Sequence, residues 1–191
     1  MKYVIRKVPE RDTSYLERIL PDALIYCDTE HKGCRYSFEQ ALLLANDDAV
    51  YVQDDMILCR DFRKRAEKYI KKYPSHCIVF SNTTYGKDSV NVIREGFWDP
   101  VQAPWLMCTY IPKEMAKAFI FAKRNNMFKV FKNAIKYDFD DVEWGNFLAF
   151  MNEKVFVTVP NLAGHPRNKS VTGFSRTPRI CINFDYNDAE R

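Results

Sequence analysis

No apolar run in this chain of 191 residues approaches the roughly 20 residues that a membrane-spanning helix requires. The opening residues, Met1-Lys2-Tyr3-Val4-Ile5-Arg6, contain no apolar core ahead of a small-residue cleavage site, so a secretory leader is not expected. There is no internal repeat and no low-complexity stretch. The six cysteines (Cys27, Cys34, Cys59, Cys77, Cys108, Cys181) form neither a CxxC pair nor a zinc-ligand spacing. Four of them lie in or beside apolar runs, where a reduced thiol packs as a small hydrophobe. Free thiols and a cytoplasmic setting are therefore expected. GxGxxG, Walker A, GxSxG and HExxH are also absent, which removes the commonest dehydrogenase, NTPase, hydrolase and metalloprotease readings.

What the chain does contain is material for one sizeable core. It is 47% hydrophobic and 15% aromatic, too apolar for disorder. A single domain over residues 1–176 is expected, with 177–191 as a polar C-terminal tail. The net charge of +4 permits a polyanionic partner without requiring one.

Strand and helix periods alternate through the first half. Residues 2–8 read as a strand. Residues 14–20 read as a helix that opens on a Ser14/Glu17 capping box and closes at Pro21. Residues 23–27 are a continuous apolar run ending at Asp28, which predicts a strand buried on both faces. A second capping box, Ser37/Gln40, predicts the start of the next helix, and residues 49–53 the next strand. Phe62, Ala66, Tyr69 and Tyr73 then form one face of a helix whose other face is basic, and 77–81 is a fourth strand. This β-α-β-α-β-α-β order predicts an α/β fold with a mostly parallel central sheet flanked by helices. Later, 82–104 read as loop, 105–111 as a strand, and Pro112 as the first residue of a helix. Residues 138–152 read as a helix opening on three acids, 155–159 as a last strand, and the rest as loop.

Three places carry candidate chemistry. Asp54 and Asp55 follow a central strand at its C-terminal end, where open α/β sheets hold their ligands, and paired carboxylates can bind a divalent cation. Asp47 and Asp48 read instead as solvated turn acids. Asp138, Asp140, Asp141 and Glu143 crowd one helix start. One or two would complement the helix dipole, and one could act as a general base, with nothing in the sequence to choose among them. His165 lies in a Gly/Pro-punctuated polar loop, where burial is not expected. There it could complete a metal site, with Arg167, Lys169 and Ser170 suited to phosphate. Basic residues also concentrate at 60–72, seven against two acids, and at 113–136, seven against one. They read as solvated helix faces or as polyanion contacts.

In this order, Arg6 in the first strand, Asp28 closing the second, Gln53-Asp54-Asp55 after the third, the acidic helix start and the Pro160/Leu162/His165/Ser170 segment resemble a GT-A glycosyltransferase. More narrowly they resemble the small GT-A proteins of phages and some bacteria. The resemblance covers about residues 2 to 176 and implies a Rossmann-like nucleotide-sugar-binding fold. It further implies transfer of a sugar from a nucleotide diphosphate, with a UDP-sugar as the favoured donor, to an acceptor hydroxyl. Asp28 would bind the nucleoside, with Arg6 and Arg11 near the base or diphosphate. Asp55, with Asp54 beside it, would hold Mn²⁺ or Mg²⁺, and His165 would be a further metal ligand. Lys169 and Ser170 would bind phosphates, and Asp140 or Asp141 would be the base or orient the acceptor. Gln53 stands where the family motif has an acid. The acceptor would lie over residues 82–110, near Phe97, Trp98, Trp105 and Tyr110. Hydroxymethylated DNA bases are one acceptor class, and protein or lipid-linked glycan are others. Two rivals stand beside this reading: a nucleotidyltransferase with a two-metal carboxylate set, and a non-catalytic, basic nucleic-acid-binding α/β protein.

Overall fold

A computed structural model describes residues 1–82, 94–101, 106–165 and 183–190. The elements run β1 (Lys2–Lys7), α1 (Ser14–Ile19), β2 (Leu24–Cys27), α2 (Cys34–Ala45), β3 (Ala49–Gln53), β4 (Ile57–Leu58), α3 (Phe62–Lys72) and β5 (Ile78–Val79). They continue with β6 (Gly96–Trp98), β7 (Cys108–Ile111), α4 (Lys113–Arg124), α5 (Lys132–Tyr137), α6 (Asp140–Phe150), β8 (Val155–Val157) and β9 (Ala163–Gly164). A 3-10 turn at Tyr186–Asp188 follows.

Seven strands form one sheet in the order β2-β1-β3-β7-β5-β8-β6, and β4 pairs with β9 in a second, two-stranded sheet. β1, β2 and β3 are parallel to one another, and β5 is parallel to β8. Between these groups lies β7, antiparallel to both β3 and β5, so all five parallel strands still point the same way. The α/β class and mostly parallel sheet are as the alternation implies, with two strands reversed, β7 at the centre and β6 at the edge.

The strand period decides what each face packs against. Val4 registers with Tyr51 and Tyr3 with Val50, so Tyr51 and Tyr3 point to opposite faces. On one face Tyr51 meets Phe38 of α2, and Phe38 and Phe119 meet Trp144, tying α2, α4 and α6 together. On the other face Tyr3 meets Phe62 of α3, which also meets Phe80. Burial of such aromatics is worth about 1.5–3 kcal/mol each, so the core lies on both faces of the sheet.

Local expectations fare unevenly. β2 is an edge strand and only half-buried, not covered on both faces, because β1 alone pairs with it among the described strands. The Ser37/Gln40 capping box is not used: α2 begins at Cys34, and Ser37 is buried inside it. Pro112 precedes α4 as its N-cap in extended geometry rather than opening the helix. The segment read as tail is structured where it is described. Phe184 is buried, the Asn161 N–H donates to the Asn183 carbonyl at 2.8 Å, and Ala189 bridges to Cys59 beside β4. Five of the six cysteines are described, all as free thiols. Among the described residues no helix is long and apolar enough to cross a membrane.

Candidate active site

The strand ends of β1, β2 and β3 bring Arg6, Asp28, Asp54 and Asp55 to one edge of the sheet, where an α/β fold has its ligand crevice. Each is held differently. Asp28 is buried and accepts the N–H groups of Lys32 and Gly33, both at 3.0 Å, shaping the 28–33 loop that leads into α2. Gly33 has φ +96° there, and a Cβ on it would lie 2.1 Å from Oδ2 of Asp138, so the turn admits no side chain. Asp138 in turn accepts the backbone N–H groups of Cys34 and Arg35, supplying the capping carboxylate of α2 from far along the chain.

Asp54 accepts the Val8 N–H at 3.3 Å and so ties the end of β3 to the loop after β1. Burial, and then the neighbouring Asp55 carboxylate, push its pKa up. Asp55 points the other way. Its Oδ2 lies 2.9 Å from Nε2 of His165 and 3.8 Å from Nη2 of Arg11. Two short strands make this meeting possible. β4 follows Asp55 and β9 precedes His165, and pairing of Ile57 with Gly164 closes the distance between residues remote in sequence. The 183–190 segment braces the same spot: the Tyr186 hydroxyl donates to the His165 carbonyl at 2.7 Å. His165 is only 3% exposed, contrary to the expectation from its polar loop, because β9 and the C-terminal segment enclose it.

The acidic helix start divides into separate roles. Asp140 is buried and accepts from Nη2 of Arg6 at 2.6 Å, while the Arg6 guanidinium lies over the Phe38 ring, 5.1 Å from its centroid. Arg6 is thus committed to an interior ion pair that fixes the start of α6 under the end of β1. Glu143 is fully buried between Arg35 and Lys123, joining α2, α4 and α6. Asp141 keeps a half-exposed carboxylate that accepts the Val142 N–H at 2.8 Å. Beside them Cys34 is exposed, and the neighbouring Asp140 carboxylate acts to raise its thiol pKa.

Lys169, Ser170, Arg167 and Trp105 lie outside the described residues. Tyr110 is core: its hydroxyl donates to the Pro74 carbonyl at 2.7 Å, so it offers no ring to an acceptor. Phe97 and Trp98 belong to β6, and Phe97 packs on Tyr73, His76 and Phe156. An apolar cleft of about 470 Å³, lined by Pro74, Pro112, Met115, Ala118, Phe147 and Met151, lies at the other end of the sheet. Three acids, Asp48, Glu114 and Glu153, also line it, none of them among the acids brought together at the strand ends. Sequence reading missed the clamp of β4, β9 and 183–190; its one signal is the Phe184/Tyr186 alternation inside an otherwise polar stretch.

Among the described residues no three His, Cys, Asp or Glu side chains gather as a metal cage. Asp55 and His165 offer one carboxylate and one imidazole facing each other. That donor set fits a divalent cation whose remaining oxygen ligands come from outside these two side chains.

No family model matches the chain, and no curated protein matches it. Among solved structures it is similar to A197 from STIV, at 15% identity and a TM-score of 0.56, over 88% of this chain and 87% of that one. At that identity the likeness is one of fold alone.

Proposed function

We propose that the chain is a metal-dependent glycosyltransferase of GT-A type, taking a nucleotide-diphosphate sugar, with UDP as the favoured nucleotide. The observation that carries this reading is the Asp55–His165 contact of 2.9 Å at the C-terminal end of β3, with Arg11 beside it. A carboxylate, an imidazole and a guanidinium converging at a strand end suit a metal-chelated diphosphate better than a neutral ligand. Asp55 and His165 would hold Mn²⁺ or Mg²⁺, which supplies charge stabilisation for the departing diphosphate. Arg11 would share the phosphate charge. Asp28, already aligned by two loop amides, would lie at the nucleoside end of the crevice.

Of the two candidate bases, Asp141 suits the role better. Asp140 is spent on Arg6 in a buried pair, whereas Asp141 keeps a half-exposed carboxylate able to meet an acceptor hydroxyl. Asp140 and Arg6 would then position α6, and with it Asp141.

The test is thermal unfolding with UDP, GDP, CMP and dTDP, each with and without Mn²⁺, on the native chain and on Asp55→Ala and His165→Ala. A nucleotide-selective rise that needs Mn²⁺ is expected; at a hundredfold excess over Kd it corresponds to about 2.7 kcal/mol. Both variants should lose it. The same small shift with every nucleotide, or a shift that survives Asp55→Ala, sinks the proposal.

A further inference from the structure

Between Glu114 and Asp138 the chain has no acidic residue and six cations: Lys117, Lys123, Arg124, Lys129, Lys132 and Lys136. The remainder carries 23 Lys and Arg against 25 Asp and Glu, so the positive excess of the whole molecule resides on this stretch. The same stretch exposes large apolar side chains: Phe121 at 62%, Met127 at 48%, Phe131 at 60% and Ile135 at 56%. Phe150, at the end of α6, adds another at 49%.

Packing explains why these groups face outward together. The Phe128 ring is wedged against Phe119, Phe147 and Phe150, with centroids 6.1, 5.7 and 6.3 Å away, and pins the α4–α5 connection to the core. Its neighbours Met127 and Lys129 are left at the surface. In the next turn the Ile135 N–H donates to the Phe131 carbonyl at 3.3 Å, so these two residues stack along one line. Lys132 and Lys136, both exposed, repeat at the same spacing beside them. Lys123 pairs with Glu143 and Arg124 with Glu39, and Lys129, Lys132 and Lys136 are exposed.

The other basic helix, α3, provides the contrast. It also carries exposed lysines, but none of its large apolar residues is exposed. A phosphate backbone alone would need cations and no protruding Phe, Met and Ile. An apolar partner alone would not need an acid-free basic run. Both features together match an anionic lipid surface, in which apolar groups enter the headgroup–acyl boundary and flanking lysines meet the lipid phosphates.

We propose that the α4–α5 connection and α5 form a docking surface for an anionic lipid bilayer, with Met127, Phe131 and Ile135 as the inserting groups and Lys129, Lys132 and Lys136 as the headgroup contacts. This stands independently of the transfer reaction.

Co-sedimentation of the full chain tests it, using vesicles of phosphatidylcholine alone and of equimolar phosphatidylcholine and phosphatidylserine. The chain should pellet with the second and not the first, less so as salt rises. Lys132→Gln with Lys136→Gln should weaken binding about thirtyfold. Phe131→Ser with Ile135→Ser should abolish it while leaving the unfolding midpoint unchanged, since all four side chains are exposed. Three results would overturn the inference. One is no pelleting with either vesicle. Another is binding to plain duplex DNA that the lysine variant loses and the apolar variant keeps, without vesicle binding. The third is a dimer that the apolar variant dissociates, again without vesicle binding.

Discussion

The Arg6 guanidinium and the Asp140 carboxylate meet at 2.6 Å where both are almost wholly buried. A pair of this kind contributes little net stability, but removing one partner strands the other charge out of water, at about 3–5 kcal/mol. Arg6→Met and Asp140→Asn should each lower the stability by that order in denaturant titrations. The double variant should be less destabilised than the two costs summed, because neither charge is then left alone. Strict additivity would mean that the two do not act as a pair. Nothing in the sequence exhibits this pairing. A count of four acids at one helix start is legible, but their separate fates depend on which basic group the fold delivers to each. Asp138 receives the amides of α2, Asp140 receives Arg6, and Glu143 receives Arg35 and Lys123. Asp141 accepts the Val142 amide and stays partly exposed.

Several of the longer elements are legible in the sequence, Ala49–Gln53 as a continuous apolar run and α3 by its Phe62/Ala66 face, although the six-residue α5 is not. Nor are β4 and β9, because two residues are too few for any alternation to register. Yet this pair brings Asp55 to His165, and its close fit is measurable. A Cβ on Gly164 would lie 2.4 Å from the Phe184 ring, so Gly164→Ala must displace the 183–190 segment. The expected cost is about 1–3 kcal/mol, as for overpacking elsewhere. Adding Phe184→Leu should recover part of it, and unfolding midpoints of the two single variants and the double decide the matter. A Gly164→Ala chain as stable as the native one would show that the segment does not press on β9. Such a contact between β9 and a segment some twenty residues further on has no local signature, which is why residues 177–191 read as a tail.

At the scale of the molecule, the reversed strand β7 joins the β1–β2–β3 group to the β5–β8 group. It is buried at all four positions and paired on both sides, whereas β2 and β6 end the sheet and are half-exposed. Native-state hydrogen exchange should therefore find the amides of Cys108–Ile111 among the slowest and those of β2 and β6 among the fastest. Equal protection across the sheet would contradict this. The alternating first half made a parallel α/β sheet readable, but insertion of β7 between β3 and β5 is a choice of tertiary pairing that no run of residues encodes by itself. That insertion also bears on how the protein is made. On the ribosome β3 emerges long before the strand that pairs beside it, since Val52 must wait for Cys108. At about 5–20 residues per second the wait is on the order of 3–10 s, during which the apolar β3 presents an unpaired edge to other nascent chains and to chaperones.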